Sequence, residues 1–174
     1  MLDNQYRILV ENALAQPQVA VHRDYHSRNL MHLADGSLGV LDFQDAVIGP
    51  LTYDLVSLIR DCYINWPAAK EEQWIREFIA LAQEARIIGA IEYPVVKRWF
   101  DLMGMQRQIK CVGIFSRLFL RDGKPGYLQD IPRTFNYLKS VSENYPEFAP
   151  FNQWLEQRVI PAMASCPRLP GVTA

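Results

Sequence analysis

Two short apolar runs, NLMHL and SLGVLDF, flank Ala34-Asp35-Gly36, and this arrangement constrains the fold more than any other stretch of the chain. Asp-Gly supplies the left-handed backbone that reverses a tight hairpin, so the runs are expected to pair as antiparallel strands. Pairing would bring Asn29, near the start of the hairpin, to the same edge as Asp42, near its end, although 13 positions separate them. The polar segment HRDYHSRN leads directly into the first strand. Its side chains therefore collect at that edge as well.

Around this hairpin the pattern is helical. Leu2, Tyr6, Leu9, Val10 and Ala13 repeat with the helical period, predicting an amphipathic helix over residues 3–15, with Pro17 after its end. Val19 to Val21 form a short extended run. Gly49-Pro50 reads as a turn, and Thr52 as the N-cap of a helix over YDLVSLIRDCYI. Further helices are expected over residues 70–87, from Pro94 through Leu118, near 128–143 and near 150–163, with RDGKPGY as a turn. The expected fold is mainly α with one small β-hairpin. No internal repeat, linker or low-complexity tract interrupts it.

Composition narrows the class. A chain of 174 residues with 49% hydrophobic and 21% charged residues can bury a core of its own. A net charge of −1 argues against a dedicated nucleic-acid surface or anionic-membrane surface. Cys62, Cys111 and Cys166 are widely spaced, which suggests free thiols and a reducing compartment. Without a leader pattern or an 18-residue apolar run, a cytoplasmic location with no membrane partner is expected.

The chemistry lies in four residues. His22, Asp24 and Asn29 stand as H-x-D-x-x-x-x-N, with Asp42 following. Phosphoryl transfer requires a carboxylate facing the acceptor hydroxyl, and oxygen ligands for the Mg²⁺ that neutralises the phosphates of ATP. Asp24 meets the first need; Asn29 and Asp42 meet the second. His22 is expected to support the loop, while Arg28 and His26 are candidates to face the transferred phosphate. Asp and Asn that merely cap turns would explain the residue types, but not their joint spacing. A zinc hydrolase would leave only His26 and His32 as further imidazoles, in no recognised spacing. Asp54 has two readings: a first-turn carboxylate favoured by the helix dipole, or an inward-pointing acceptor that fixes the loop through its backbone N–H groups. The second is preferred.

With these residues in hand, HRDYHSRN, LDFQDA and GPLTYDLVSLIRD resemble the aminoglycoside phosphotransferase family of the protein-kinase-like fold. The segment RQIKCVGIFSRLFLRDGKPGYLQDIPRTFNYL is similar to its branch of bacterial anomeric N-acetylmuramate and N-acetylglucosamine kinases in cell-wall recycling. The resemblance implies a C-terminal lobe over residues 1–165, with the catalytic loop at 22–29, the metal motif at 42–45, helical substrate elements at 52–163 and a tail at 166–174. It implies Asp24 as the base, Asn29 and Asp42 as metal ligands, and Mg²⁺ with ATP as co-substrate. Asp45 falls where the family often keeps another acidic residue. Gln44 departs from the glycine of protein kinases, as suits a small-molecule kinase.

No glycine-rich phosphate loop or strand lysine precedes His22, so the nucleotide lobe is expected to be absent. Little activity of the chain alone follows, along with either a separate N-lobe partner or self-association through an exposed face. The acceptor is expected to be an amino sugar. Its contacts are sought among Arg60, Asp61, Tyr63, Trp66 and Arg107, with Arg117 and Arg121 as further cations for a muramate carboxylate. The alternatives are a non-catalytic sugar- or partner-binding remnant, and a kinase for an aminoglycoside or another alcohol.

Overall fold

The computed structural model describes residues 2–62 and 64–169. The chain divides into two compact units, one comprising Glu11–Gly104 and the other Met1–Val10 with Met105–Ala174. Helices α1 (Leu2–Leu14) and α4 (Tyr93–Asp122) each supply residues to both.

The unit of residues 11–104 carries the β-structure. Strands β2 (Leu30–His32) and β3 (Leu38–Val40) form the expected hairpin, with Leu30 opposite Val40 and His32 opposite Leu38. Gly36 holds φ +84° in the turn, where a side chain would be strained. A second ladder encloses the first. β1 (Gln18–Val21) pairs antiparallel with β4 (Val47–Pro50), so the hairpin is an insertion between two paired strands. This corrects two expectations. The chain has more than one hairpin's worth of β-structure, and Gly49-Pro50 is strand, lying opposite Val19 and Gln18, not a turn. Proline is tolerated there because it occupies the ladder's last rung.

After β4 the chain enters α2 (Tyr53–Ile59). Thr52 precedes it but makes no side-chain cap. Its N–H and hydroxyl both donate to the Gln16 side-chain oxygen, at 3.0 and 2.8 Å, which fastens the start of α2 to the residues before β1. Helix α3 (Ala68–Glu84) begins directly after Pro67. Val56 and Ile59 of α2, Ile75, Ile79 and Ala82 of α3, and Val96, Phe100 and Met103 of α4 form one buried cluster. Their three- and four-residue spacings give each helix a single apolar stripe.

In the other unit, α4 ends at Gly123, whose φ is +64°. The N–H groups of Gly123 and Lys124 return to the carbonyls of Phe119 and Leu118. A 3₁₀ turn (Pro125–Asp130) precedes α5 (Ile131–Glu143), which buries Ile131, Thr134, Phe135, Leu138 and Val141. The last expected helix is split into α6 (Ala149–Trp154), a π-turn (Leu155–Val159) and α7 (Ile160–Ala164). Pro161 lacks the N–H that would bond back within a regular helix, and the register shifts just before it. Among the described residues no helix is long and apolar enough to cross a membrane.

Candidate functional site

The loop that follows β1 is held from outside and from within. Asp54, in the first turn of α2, accepts hydrogen bonds from the backbone N–H groups of His22, at 2.6 Å, and Arg23, at 3.0 Å. Arg23 has φ +77°, uncommon for a residue with a long side chain. Such a conformation costs about 1–3 kcal/mol. Two bonds to a carboxylate, each worth about 1.5–3 kcal/mol, offset it.

Inside the loop, backbone and side-chain amides do the tying. The Asp24 carbonyl accepts from the Asn29 side-chain NH₂ at 2.9 Å and from the His26 N–H at 3.1 Å. The Asn29 N–H returns to His26 O, closing a 3₁₀ turn over Ser27–Asn29. Asp24 is exposed, and its carbonyl, not its carboxylate, carries these bonds.

Leu41 joins the loop to the end of the hairpin. Its N–H donates to Asn29 O at 2.9 Å, and its carbonyl accepts from His22 Nε2 at 2.8 Å. A carbonyl only accepts, so this contact assigns the ring proton to Nε2. His22 thus acts as a strut between loop and strand. Asp42 comes next in sequence, exposed, with φ +64°, and its Oδ1 accepts from Gln44 Nε2 at 2.6 Å. Both non-glycine residues with positive φ in this region therefore lie at or beside a candidate carboxylate.

The donor set suits a hard divalent cation. The Asn29 NH₂ donates to Asp24 O, so its amide oxygen is the atom that could ligate a metal, and Asp42 offers a solvent-facing carboxylate. Mg²⁺ is held by few protein oxygens, with water and phosphate completing its shell. No cluster of three or more His, Cys, Asp or Glu side chains able to cage a metal occurs among the described residues.

The remaining candidates are dispersed. Arg28 is exposed in the 3₁₀ turn, and His26 is partly buried beside it. The Asp45 carbonyl accepts from Arg23 Nη1 at 3.4 Å. Asp61 is buried and accepts from the Ser27 hydroxyl at 3.2 Å. Trp66 meets Trp74 edge to face at 5.0 Å, and both line a largely apolar cavity of about 520 Å³ with Ser27, Leu30 and Phe78. Tyr63 lies outside the described residues. Arg60 is not an open cation for a sugar carboxylate. It is buried, paired with Glu71 and Asp101, and packed over Phe100 at 4.6 Å. Arg107, Arg117 and Arg121 belong to the other compact unit, where Arg121 pairs with Asp122.

Sequence reasoning missed the Leu41 junction, the Gln44 contact and the Ser27–Asp61 bond. The first uses Leu41's backbone alone, so Leu41 carries no signature, although His22, whose ring reaches it, was expected to support the loop. A glutamine two positions after Asp42 was at least a legible hint of the second.

Comparison with known proteins identifies the family. Residues 2–95 match the model of the phosphotransferase enzyme family. An N-acetylmuramate/N-acetylglucosamine kinase of Pseudomonas putida is 46% identical over 151 residues, covering 87% of this chain and 44% of the relative. Kinases of the same name from Neisseria meningitidis and Pseudomonas aeruginosa are 46% and 45% identical, over 45% and 44% of their own lengths. The chain thus spans a little under half the length of the curated relatives it matches. On a match that covers more than half of its length, the chain belongs to the phosphotransferase enzyme family.

Proposed function

We propose that this chain carries the acceptor-activating and metal-binding half of an ATP-dependent kinase that phosphorylates the anomeric hydroxyl of N-acetylmuramate or N-acetylglucosamine. The observation that carries the reading is the Leu41 junction, which ties the Asp24–Asn29 loop to the residue preceding Asp42. The names of the relatives support the choice of acceptor.

In this reading the sugar hydroxyl attacks the γ-phosphorus of ATP. A phosphorus–oxygen bond forms, the bond to the β,γ-bridging oxygen breaks, and ADP leaves. Asp24 orients the hydroxyl and receives its proton. Asn29 and Asp42 would hold Mg²⁺, which neutralises phosphate charge when bound. Asp54 and His22 keep the loop in place through backbone bonds.

Several apolar residues between 31 and 48 are exposed, including Phe43 at 66% and Ile48 at 73%. We assign this surface to the nucleotide-binding part of the longer kinase, or to self-association in its absence. The 174-residue chain alone is then expected to turn over slowly, because the positioning of ATP is most of the catalysis.

The test measures ADP release with N-acetylmuramate, N-acetylglucosamine and an aminoglycoside, for the chain alone and with a nucleotide lobe supplied from a relative. Asp24→Asn should lower kcat by about 10²–10⁴-fold in the active form while changing KM little. Full activity of Asp24→Asn would remove the proposed base. Turnover only of the aminoglycoside would replace the acceptor.

A further inference from the structure

The segment that runs through α2 bears on the loop carrying Asp24 at two points, and of these two only Asp54 was expected from the sequence. The second lies just past the other end of α2. Ser27 opens the 3₁₀ turn that ends at Asn29, and its hydroxyl donates to Asp61 Oδ2 at 3.2 Å. Ser27 is exposed, whereas Asp61 is only 4% exposed. A hydrogen bond to a buried carboxylate is roughly twice as strong as one between neutral groups.

Asp61 is itself on a firm footing. Its neighbour Arg60 reaches Glu71 of α3 through Nε at 2.9 Å and through Nη2, and reaches Asp101 of α4 at 2.8 Å. Lys97 adds two bonds to the same Asp101 carboxylate, at 2.5 and 2.6 Å. The buried charge cluster thus fixes the residue bonded to Asp61 in the chain, Asp61 bonds Ser27, and one 3₁₀ turn leads on to Asn29. Asp54 and Asp61 are seven positions apart, with most of that span in α2, so the helix acts as a stiff spacer between the anchors.

We propose that Ser27 and Asp61 are a positioning pair, and that α2 grips the phosphotransfer loop at both ends, setting where Asn29 and Asp24 stand relative to Asp42. The inference rests on the functional reading above. Neither residue is assigned contact with substrate. Releasing Ser27 frees the turn carrying Asn29, and the bond from the Asn29 side chain to Asp24 O passes that freedom to the base.

The test uses the full 174-residue chain, ¹⁵N-labelled, as Ser27→Ala and Ser27→Thr. Ser27 is exposed, so both variants should fold, and threonine retains the hydroxyl. Hydrogen exchange at the N–H groups of Asn29 and Leu41 should quicken about tenfold in Ser27→Ala, with those of His22 and Arg23 unchanged, and return in Ser27→Thr. Mn²⁺ serves as a paramagnetic probe. Half-broadening of the Asn29 side-chain and Asp42 backbone signals should need about five- to tenfold more Mn²⁺ in Ser27→Ala, again restored by threonine. Unchanged exchange and unchanged Mn²⁺ response in Ser27→Ala would overturn the positioning role, as would failure of threonine to restore both. If Mn²⁺ leaves those signals untouched in the unsubstituted chain, the metal-site reading fails instead, and exchange alone still decides for or against the grip.

Discussion

Replacing Arg60 with methionine probes the largest buried charge arrangement near the site. The Arg60 side chain is 6% exposed, and its partners Glu71 and Asp101 are 13% and 4% exposed. Burial penalises the Arg60 charge, but the Glu71 hydrogen bond and the charges of Asp101 and Glu71 outweigh that penalty and hold its pKa above the ordinary arginine value. The side chain is therefore charged at every working pH. Methionine preserves most of the stem and removes the cation. Lys97 continues to serve Asp101, whereas Glu71 loses the guanidinium that held both of its oxygens. Removing one partner of a buried pair costs about 3–5 kcal/mol. The lost cation–π contact with Phe100 adds about 1 kcal/mol, and partial hydration of Glu71 returns a similar amount. The expected loss is about 3–5 kcal/mol, a large share of the ~5–15 kcal/mol that holds a domain together. Urea unfolding followed by tryptophan fluorescence suits the measurement, because Trp66, Trp74 and Trp99 all lie in residues 11–104. The companion variant Arg60→Met/Glu71→Leu/Asp101→Leu should recover most of the loss, since apolar replacement of buried charges is often neutral and Lys97, 30% exposed, can turn to water. A loss under about 1 kcal/mol in Arg60→Met, or a triple variant worse than the single one, would refute the reasoning from desolvation and pairing.

Gly104→Ala should destabilise by about 0.5–2 kcal/mol despite alanine's helix preference of about 1 kcal/mol, because the new Cβ would stand 3.1 Å from the pinned Arg60 Nη1. In the Arg60→Met background the same change should become neutral or stabilising, and a double-mutant cycle by urea unfolding shows whether it does. Asp35 accepts from the Ser37 hydroxyl at 2.7 Å and from the Ser37 N–H at 3.0 Å, and these bonds lower its pKa from the ordinary aspartate value. Because the folded pKa is the lower one, the hairpin turn gains stability above the unfolded value and loses it as pH falls through the folded one. An NMR titration should find the Asp35 carboxyl titrating low, and higher in Ser37→Ala; equal midpoints would contradict the assignment.

The parts that sequence made legible share a physical reason. The hairpin, α1, α3 and α4 carry strong periodicity or turn chemistry within their own spans, and their limits differ from expectation by only a few residues. Strand β4 escaped because VIGP contains both of the residues that usually end strands, and its partner lies about thirty positions earlier. Thr52 had the right residue type for a cap, yet Gln16 from a distant segment captured its hydroxyl. Arg60 illustrates the same limit within the candidate site. Its type suited a sugar carboxylate, but Glu71 and Asp101 lie 11 and 41 positions away, and nothing local marks them as its partners. Asp54, by contrast, was foreseeable: it stands in the first turn of a helix that follows Gly49-Pro50, a pair read as turning the chain back toward the loop.

The nesting of the two ladders bears on how this region comes apart. The rung between Val21 and Val47 closes a single loop of chain, and Asp24, Asn29 and Asp42 all lie inside it. Loop-closure entropy is met once, at that rung, for all three groups. Fraying of β1 from β4 would loosen them together, as one cooperative opening unit. The three candidate groups therefore share one closing rung, in a four-residue ladder that contains none of them.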